Sequence, residues 1–178
     1  MPLWPEPVHL SKFFGITASG LLTGIIISQS TIVTPLLLAS PNHEIILKQF
    51  KSLSKQIGKP VSTVALLASA SYLATAYLRL THARGSTVHS PHVLRYLAAG
   101  AFVLGVLPYR WLFMRRTEGK LQRLYEEEVE GLGFAMRSKQ GEVVVKGEVR
   151  QLVDWWGLLN LGRVVPAALG FMLGAWEY

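Results

Sequence analysis

The sequence predicts an all-α integral membrane protein, a bundle of four transmembrane helices, and three observations predict it. Four runs are each long enough to cross roughly 30 Å of hydrocarbon, which takes about 20 helical residues. Charged residues make up 16% of the 178-residue chain and hydrophobic ones 50%, whereas soluble domains carry nearer ~25% charge. The mean hydropathy is +0.31, and the basic residues gather between the apolar runs rather than in them. One membrane domain over residues 1–178 is expected, with spans at about 13–39, 60–78, 94–114 and 155–176.

The first run, Phe13 to Ala39, has no ionisable side chain. A cleaved signal peptide is the rival reading, but MPLWPEPVHLSK before it is nearly uncharged and the run exceeds a normal h-region. Between spans one and two, HEIILKQFKSLSKQI sets Ile46, Phe50, Leu53 and Ile57 at helical spacing with the lysines mostly elsewhere. That pattern predicts a cytosolic amphipathic helix in loop one, lying at the membrane interface. The second span is bracketed by Lys59 and Arg79, and the third holds Arg110 near its end, where a long side chain can snorkel to the headgroups. Loop two, THARGSTVHSPH, is short and rich in turn formers. Loop three is longer and charged: it opens as a helix (RRTEGKLQRLYEEEVE), breaks at Gly131 and Gly133, and contains EVVVKGEV, which reads as a small hairpin or a disordered insertion. The fourth span carries Arg163 inside it.

Cytosolic loops carry the excess of Lys and Arg. Loops one and three hold twelve against four on the other side, Lys12, Arg79, Arg84 and Arg95. Loops one and three are therefore expected in the cytosol with both termini on the far side. The pairs Gly20 with Gly24 and Gly170 with Gly174 let helices approach closely and predict packing contacts.

The absence of cysteine excludes disulfides, thiolate metal sites and a cysteine nucleophile. The net charge of +7 does not point to nucleic acid, because the basic residues form no patch with interleaved aromatics. His82, His89 and His92 cluster in loop two, but irregularly and with no carboxylate in that loop, so no metal is expected. With no GxGxxG, Walker lysine or HExxH motif, any chemistry is expected to proceed without a bound nucleotide.

Topology brings the remaining polar residues to one depth. Ser28 and Gln29 fall in the cytosolic half of span one, and Asn160 and Arg163 in that of span four. Trp156, Asn160 and Arg163 are spaced by 4 and 3, which places them on one helix face. A guanidinium roughly 12 Å into a helix is costly in lipid and faces protein or a water-filled cavity. Two readings stay open: a pocket for an anionic or phenolic ligand, or a polar clip in which Asn160 and Arg163 bond backbone carbonyls or Gln29. His43 is the histidine on the cytosolic side.

The segments VLGVLPYRWLFMRRTEGKL and WWGLLNLGRVVPAALGFMLGAW resemble the anthrone-oxygenase-like family of small four-helix membrane proteins from fungal polyketide pathways. Pro108, Tyr109, Met114, Thr117 and Leu121 match the family's close of span three, and Trp156, Asn160 and Arg163 match the opening of span four. Two residues depart from it: Glu118 where the family often has Asn, and Arg110 where it has a small polar residue. The resemblance implies cofactor-independent oxygenation of an anthrone to an anthraquinone, or a related tailoring step, with molecular oxygen as co-substrate. It implies Arg163 as the anion-stabilising cation and Asn160 as its hydrogen-bonding partner on the ligand. Glu118 or His43 is the candidate base, and Trp156, Tyr109, Arg110, Thr117, Gln29 and Ser28 surround an aromatic polyketide. The implied surroundings are the lipid bilayer of the endoplasmic reticulum or another endomembrane, with pathway enzymes or a second copy as further partners. The alternative is a non-catalytic membrane protein that binds a lipophilic ligand or scaffolds biosynthetic enzymes.

Overall fold

The computed structural model describes residues 7–82, 90–129 and 139–176, and no strand occurs among them. Helix α1 (Pro7–Ser28) passes through a π-helical turn, Gln29–Val33, into α2 (Thr34–Leu38). Helix α3 covers His43–His82. Helix α4 (Pro91–Tyr109) passes through a second π turn, Arg110–Met114, into α5 (Arg115–Glu128), and α6 covers Lys139–Ala175. Four helical stretches, Pro7–Leu38, His43–Thr81, Pro91–Glu128 and Val144–Ala175, are long and apolar enough to cross a membrane. The all-α, four-span class is thus the one observed.

A proline stands beside each π turn, Pro35 after the first and Pro108 before the second. Each removes a backbone donor and loosens the helical ladder at that point. In the first turn the ladder slips by one residue: Gln29 O accepts the Thr34 N–H and, at 3.0 Å, the Thr34 hydroxyl.

Two connections differ from expectation. The loop-one stripe is not a separate interfacial helix but the first half of α3, which runs unbroken through Pro60. At 40 residues and 1.5 Å per residue α3 is about 60 Å long, so a span needs only its second half. Ile46 and Phe50 are buried in protein rather than laid on lipid. The segment EVVVKGEV is neither hairpin nor disordered but the first part of α6. Its valines are β-branched, yet Val145, Val149 and Val153 recur every four residues and bury one helix face, so tertiary packing outweighs strand propensity. The breaks read at Gly131 and Gly133 lie outside the described residues, as do residues 83–89 of loop two and the side chain of His82.

The chain forms two compact units, each drawing on all four long helical stretches. The first comprises Met1–Ile25, Val61–Pro108 and Arg163–Tyr178; the second comprises Ile26–Pro60 and Tyr109–Gly162. In the first unit the buried positions are largely small, including Ser19, Ala65, Ala68, Ser69, Ala99, Gly100 and Ala167, while Phe13, Leu67, Leu94, Val165 and Met172 point outward. Small residues inside and large apolar ones outside is the arrangement helices adopt in lipid, where close backbone approach replaces the hydrophobic drive. Leu22, Tyr96 and Arg163 are larger buried exceptions, and so is Tyr72: it is fully buried, its hydroxyl bonds that of Ser19 at 2.8 Å, and its ring lies against Gly15 and Gly174. A Cβ on Gly174 would strike that ring, so glycine is required there. Gly20 packs on Phe171 and Gly170 on Val103, whereas Gly24 faces open space.

The second unit carries larger side chains at its centre. Its core is Leu37, Ile46, Leu47, Phe50, Met114, Leu121, Val145, Val149, Val153 and Trp156. Outside it stand Lys48, Lys55, Lys120, Arg123, Lys146, Glu148 and Arg150, all exposed. Large apolar side chains inside such a charged surface are what water selects, while Ile32, Leu36, Trp111, Leu112, Phe113 and Leu158 of the same unit are exposed as lipid-facing residues would be.

Candidate functional site

The second unit holds an ionic cluster centred on Glu118, on the first turn of α5. Arg110, in the π turn just before, donates from Nη2 to Glu118 Oε2 at 3.2 Å and from Nη1 to the carbonyl of Gly58 at 3.4 Å. The indole N–H of Trp156 reaches Glu118 Oε1 at 3.5 Å, and its ring meets Phe50 edge-on with centroids 5.2 Å apart. Arg110 and Glu118 are the two charged departures from the family pattern noted above, and the structure pairs them with each other. That explains how both are accommodated, since neither charge stands alone. The pair is 29% and 24% exposed at its side chains, and a pair so wet contributes only about 0–1 kcal/mol.

Beside Glu118 lies a cavity of about 300 Å³, lined by Phe50, Lys51, Ser54, Lys55, Arg110, Leu121 and Tyr125 among others. Three cations therefore line the cavity that one carboxylate also lines. Lys51 also stands 3.8 Å over the Tyr125 ring, and the Ser54 hydroxyl is buried without a hydrogen-bond partner among the described residues. The sequence places the loop-one lysines off the apolar stripe and does not single out Lys51, Ser54, Lys55 or Tyr125 as a site. The available signal was their spacing: 51, 54 and 55 share one side of the α3 helix, next to the stripe residue Phe50.

A second polar group lies where the first π turn meets α6. Asn160 Nδ2 donates to Gln29 Oε1 at 2.8 Å, both residues being buried. Gln29 Nε2 is buried with no hydrogen-bond partner among the described residues. An unsatisfied buried donor costs about 1–3 kcal/mol, and π turns concentrate at functional sites. Close approach is what permits the pair. Gly157, one turn before Asn160, has no room for a Cβ, which would lie 2.7 Å from Thr34 Cγ2. Asn160→Leu alone is expected to strand the Gln29 carbonyl as well and lower stability by about 1–3 kcal/mol. Pairing it with Gln29→Leu should recover most of that loss. The thermal midpoints of both variants in detergent check the expectation, and a double variant as unstable as the single one would contradict it.

The other predicted residues are distributed as follows. Tyr109 lays its hydroxyl against Gly162 and its ring 4.7 Å from Phe113. Thr117 is buried on the inner face of α5, and Ser28 is half-buried beside Gln29. His43 is also buried, but its Nε2 faces Glu128 Oε2 at 3.7 Å. Glu128 is ten residues beyond Glu118 on α5, about 15 Å along the helix, so the two candidate bases do not share a site. Arg163 is buried and belongs to the first unit.

Fold and site together define a small helical membrane protein with a carboxylate-in-cations cavity and a buried amide pair. The chain belongs to the anthrone oxygenase family, whose model matches residues 49–173. Glu118, Arg110, Trp156, Asn160 and Arg163 fall within the match; Ser28, Gln29 and His43 fall before it. Autophagy-related protein 33 of Gibberella zeae is 29% identical over 181 residues, which cover 95% of this chain and 90% of that protein. No solved structure matches the chain.

Proposed function

We propose that the chain is a cofactor-independent oxygenase that converts an anthrone-type phenolic polyketide to the quinone in the cavity beside Glu118. The observation that carries this reading is one carboxylate held against Arg110 and Trp156 in a cavity that Lys51 and Lys55 also line. Family membership supports it. An anthrone's central methylene is acidic because the resulting anion spreads over two aryl rings and a ketone. Glu118 takes that proton, and the negative charge passes from the carboxylate to the ligand's oxygen within reach of the same cations. The cavity's net charge is unchanged, so little reorganisation is needed.

The electron-rich anion then gives one electron to O2, and the resulting carbon-centred radical and superoxide combine into a C–O bond at the former methylene. The peroxide takes a proton from Glu118. Loss of the remaining C–H proton with cleavage of O–O expels hydroxide, so that anthrone and O2 give anthraquinone and one water. No external reductant enters this balance. The same reading has loops one and three in the cytosol of an endomembrane, from the twelve-to-four division of basic residues.

The second reading is a non-catalytic membrane protein that binds a lipophilic ligand or scaffolds partners. The specific observation favouring it is the relative named an autophagy-related protein, similar along nearly the whole chain. Incubating the purified protein with an anthrone under air and under nitrogen separates them. Quinone formation and oxygen uptake above the spontaneous rate, in air only, support the oxygenase; rates equal to heat-treated protein support the second reading.

A further inference from the structure

The outer side of α5 carries a feature that the oxygenase reading does not use. A groove of about 480 Å³ runs along the second π turn and α5, flanked by Arg115, Arg116, Lys120 and Arg123. Gly119 forms its floor, and a Cβ there would meet nothing within 4 Å. No carboxylate lines it, and among the described residues none of the four cations is paired with one. At one end stands Trp111, which is 64% exposed, and the Arg115 guanidinium lies 5.8 Å from its ring. Leu112 and Phe113 beside it are likewise exposed.

We infer that this groove binds the headgroup of an anionic phospholipid, with the lipid's phosphate among Arg115, Arg116, Lys120 and Arg123 and its chains beside Trp111, Leu112 and Phe113. Two features choose the lipid over a free anion. An exposed aromatic and aliphatic turn is what a helix presents at the membrane boundary, where Trp prefers to sit. The basic side chains begin in the very next turn, at the level of the headgroups, where clustered Lys and Arg near a span select anionic lipid. Arginine adds a planar fork that fits two phosphate oxygens at once. Four cations with no acidic partner among the described residues suit a headgroup with more than one negative charge.

The test uses the full chain in nanodiscs of phosphatidylcholine doped with phosphatidylserine or with phosphatidylinositol 4-phosphate, and native mass spectrometry of the lipid it retains. The wild type should retain both anionic lipids over phosphatidylcholine, and the more highly charged one most. Arg116→Gln with Lys120→Gln should weaken that preference about thirtyfold, from the loss of two cations near the surface. Lys48→Gln, an exposed lysine on α3 outside the groove, should leave it unchanged. Raising the salt on the wild type provides a check independent of variant folding, and should weaken retention steeply. Unchanged retention in the double variant, or retention insensitive to salt, overturns the site. Displacement of the lipid by millimolar inorganic phosphate would show an anion site without lipid selectivity and overturns the assignment of the occupant.

Discussion

Under the proposed oxygenase reading, Glu118→Gln is expected to lower anthrone oxidation by about 10²- to 10⁴-fold, the range for losing a positioned general base. Glutamine keeps the shape and an acceptor oxygen for the Trp156 indole and Arg110, so the cavity wall remains. What it loses is the ability to take the methylene proton. The fold should tolerate the change, because the Arg110 pair it weakens is partly exposed and pairs of that kind contribute about 0–1 kcal/mol. Oxygen uptake and quinone absorbance measure the rate, and size-exclusion profile and melting temperature report folding. A well-folded glutamine variant oxidising at the wild-type rate removes Glu118 from the mechanism and leaves the cavity without a base.

The class of fold was legible because span length and charge depletion are additive over about 20 residues and survive local irregularity. Buried positions within spans were legible too: Trp156 and Asn160, four residues apart, do face inward together. Where reading failed, the physical cause is the length of the helices. A span was bounded at its first lysine, as at Lys59, but α3 continues for more than four turns before it and gives up lipid for a water-facing surface without breaking. The amphipathic stripe of Ile46 and Phe50 is the same signal whether the apolar face meets lipid or protein, and periodicity cannot tell these apart. Pairing across the fold was also invisible. Arg110 and Glu118 are eight residues apart, with Arg110 at the start of the π turn, and an ideal helix would not have suggested the meeting. Each looked like an isolated departure until the turn's extra residue brought them together.

In the proposed oxygenase mechanism the identity of the anion-stabilising cation depends on that meeting, and two arginine variants decide it. The resemblance implies Arg163, which is buried one turn beyond Asn160 on α6. The geometry of the second unit favours Arg110, because it already touches the carboxylate that would hand its charge to the ligand and it lines the same cavity. Arg110→Met removes the guanidinium while keeping a flexible apolar stem of similar reach. It should reduce turnover by about 10²- to 10³-fold, the scale for losing one preorganised charge partner of a developing anion. Substrate affinity should change less, since the neutral anthrone gains little from the cation before it is deprotonated. Arg110→Lys keeps the charge but cannot serve Glu118 and the Gly58 carbonyl with one fork, so an intermediate rate is expected. Arg163→Met should lower the folded yield, as loss of a buried charged residue does, yet leave turnover per folded molecule near the wild type. Rates normalised to monodisperse protein, measured for the three variants side by side, read the difference. The opposite order, with Arg163→Met at the spontaneous rate and Arg110→Met fully active, would return the cation's role to span four and make the Arg110–Glu118 pair a structural clip.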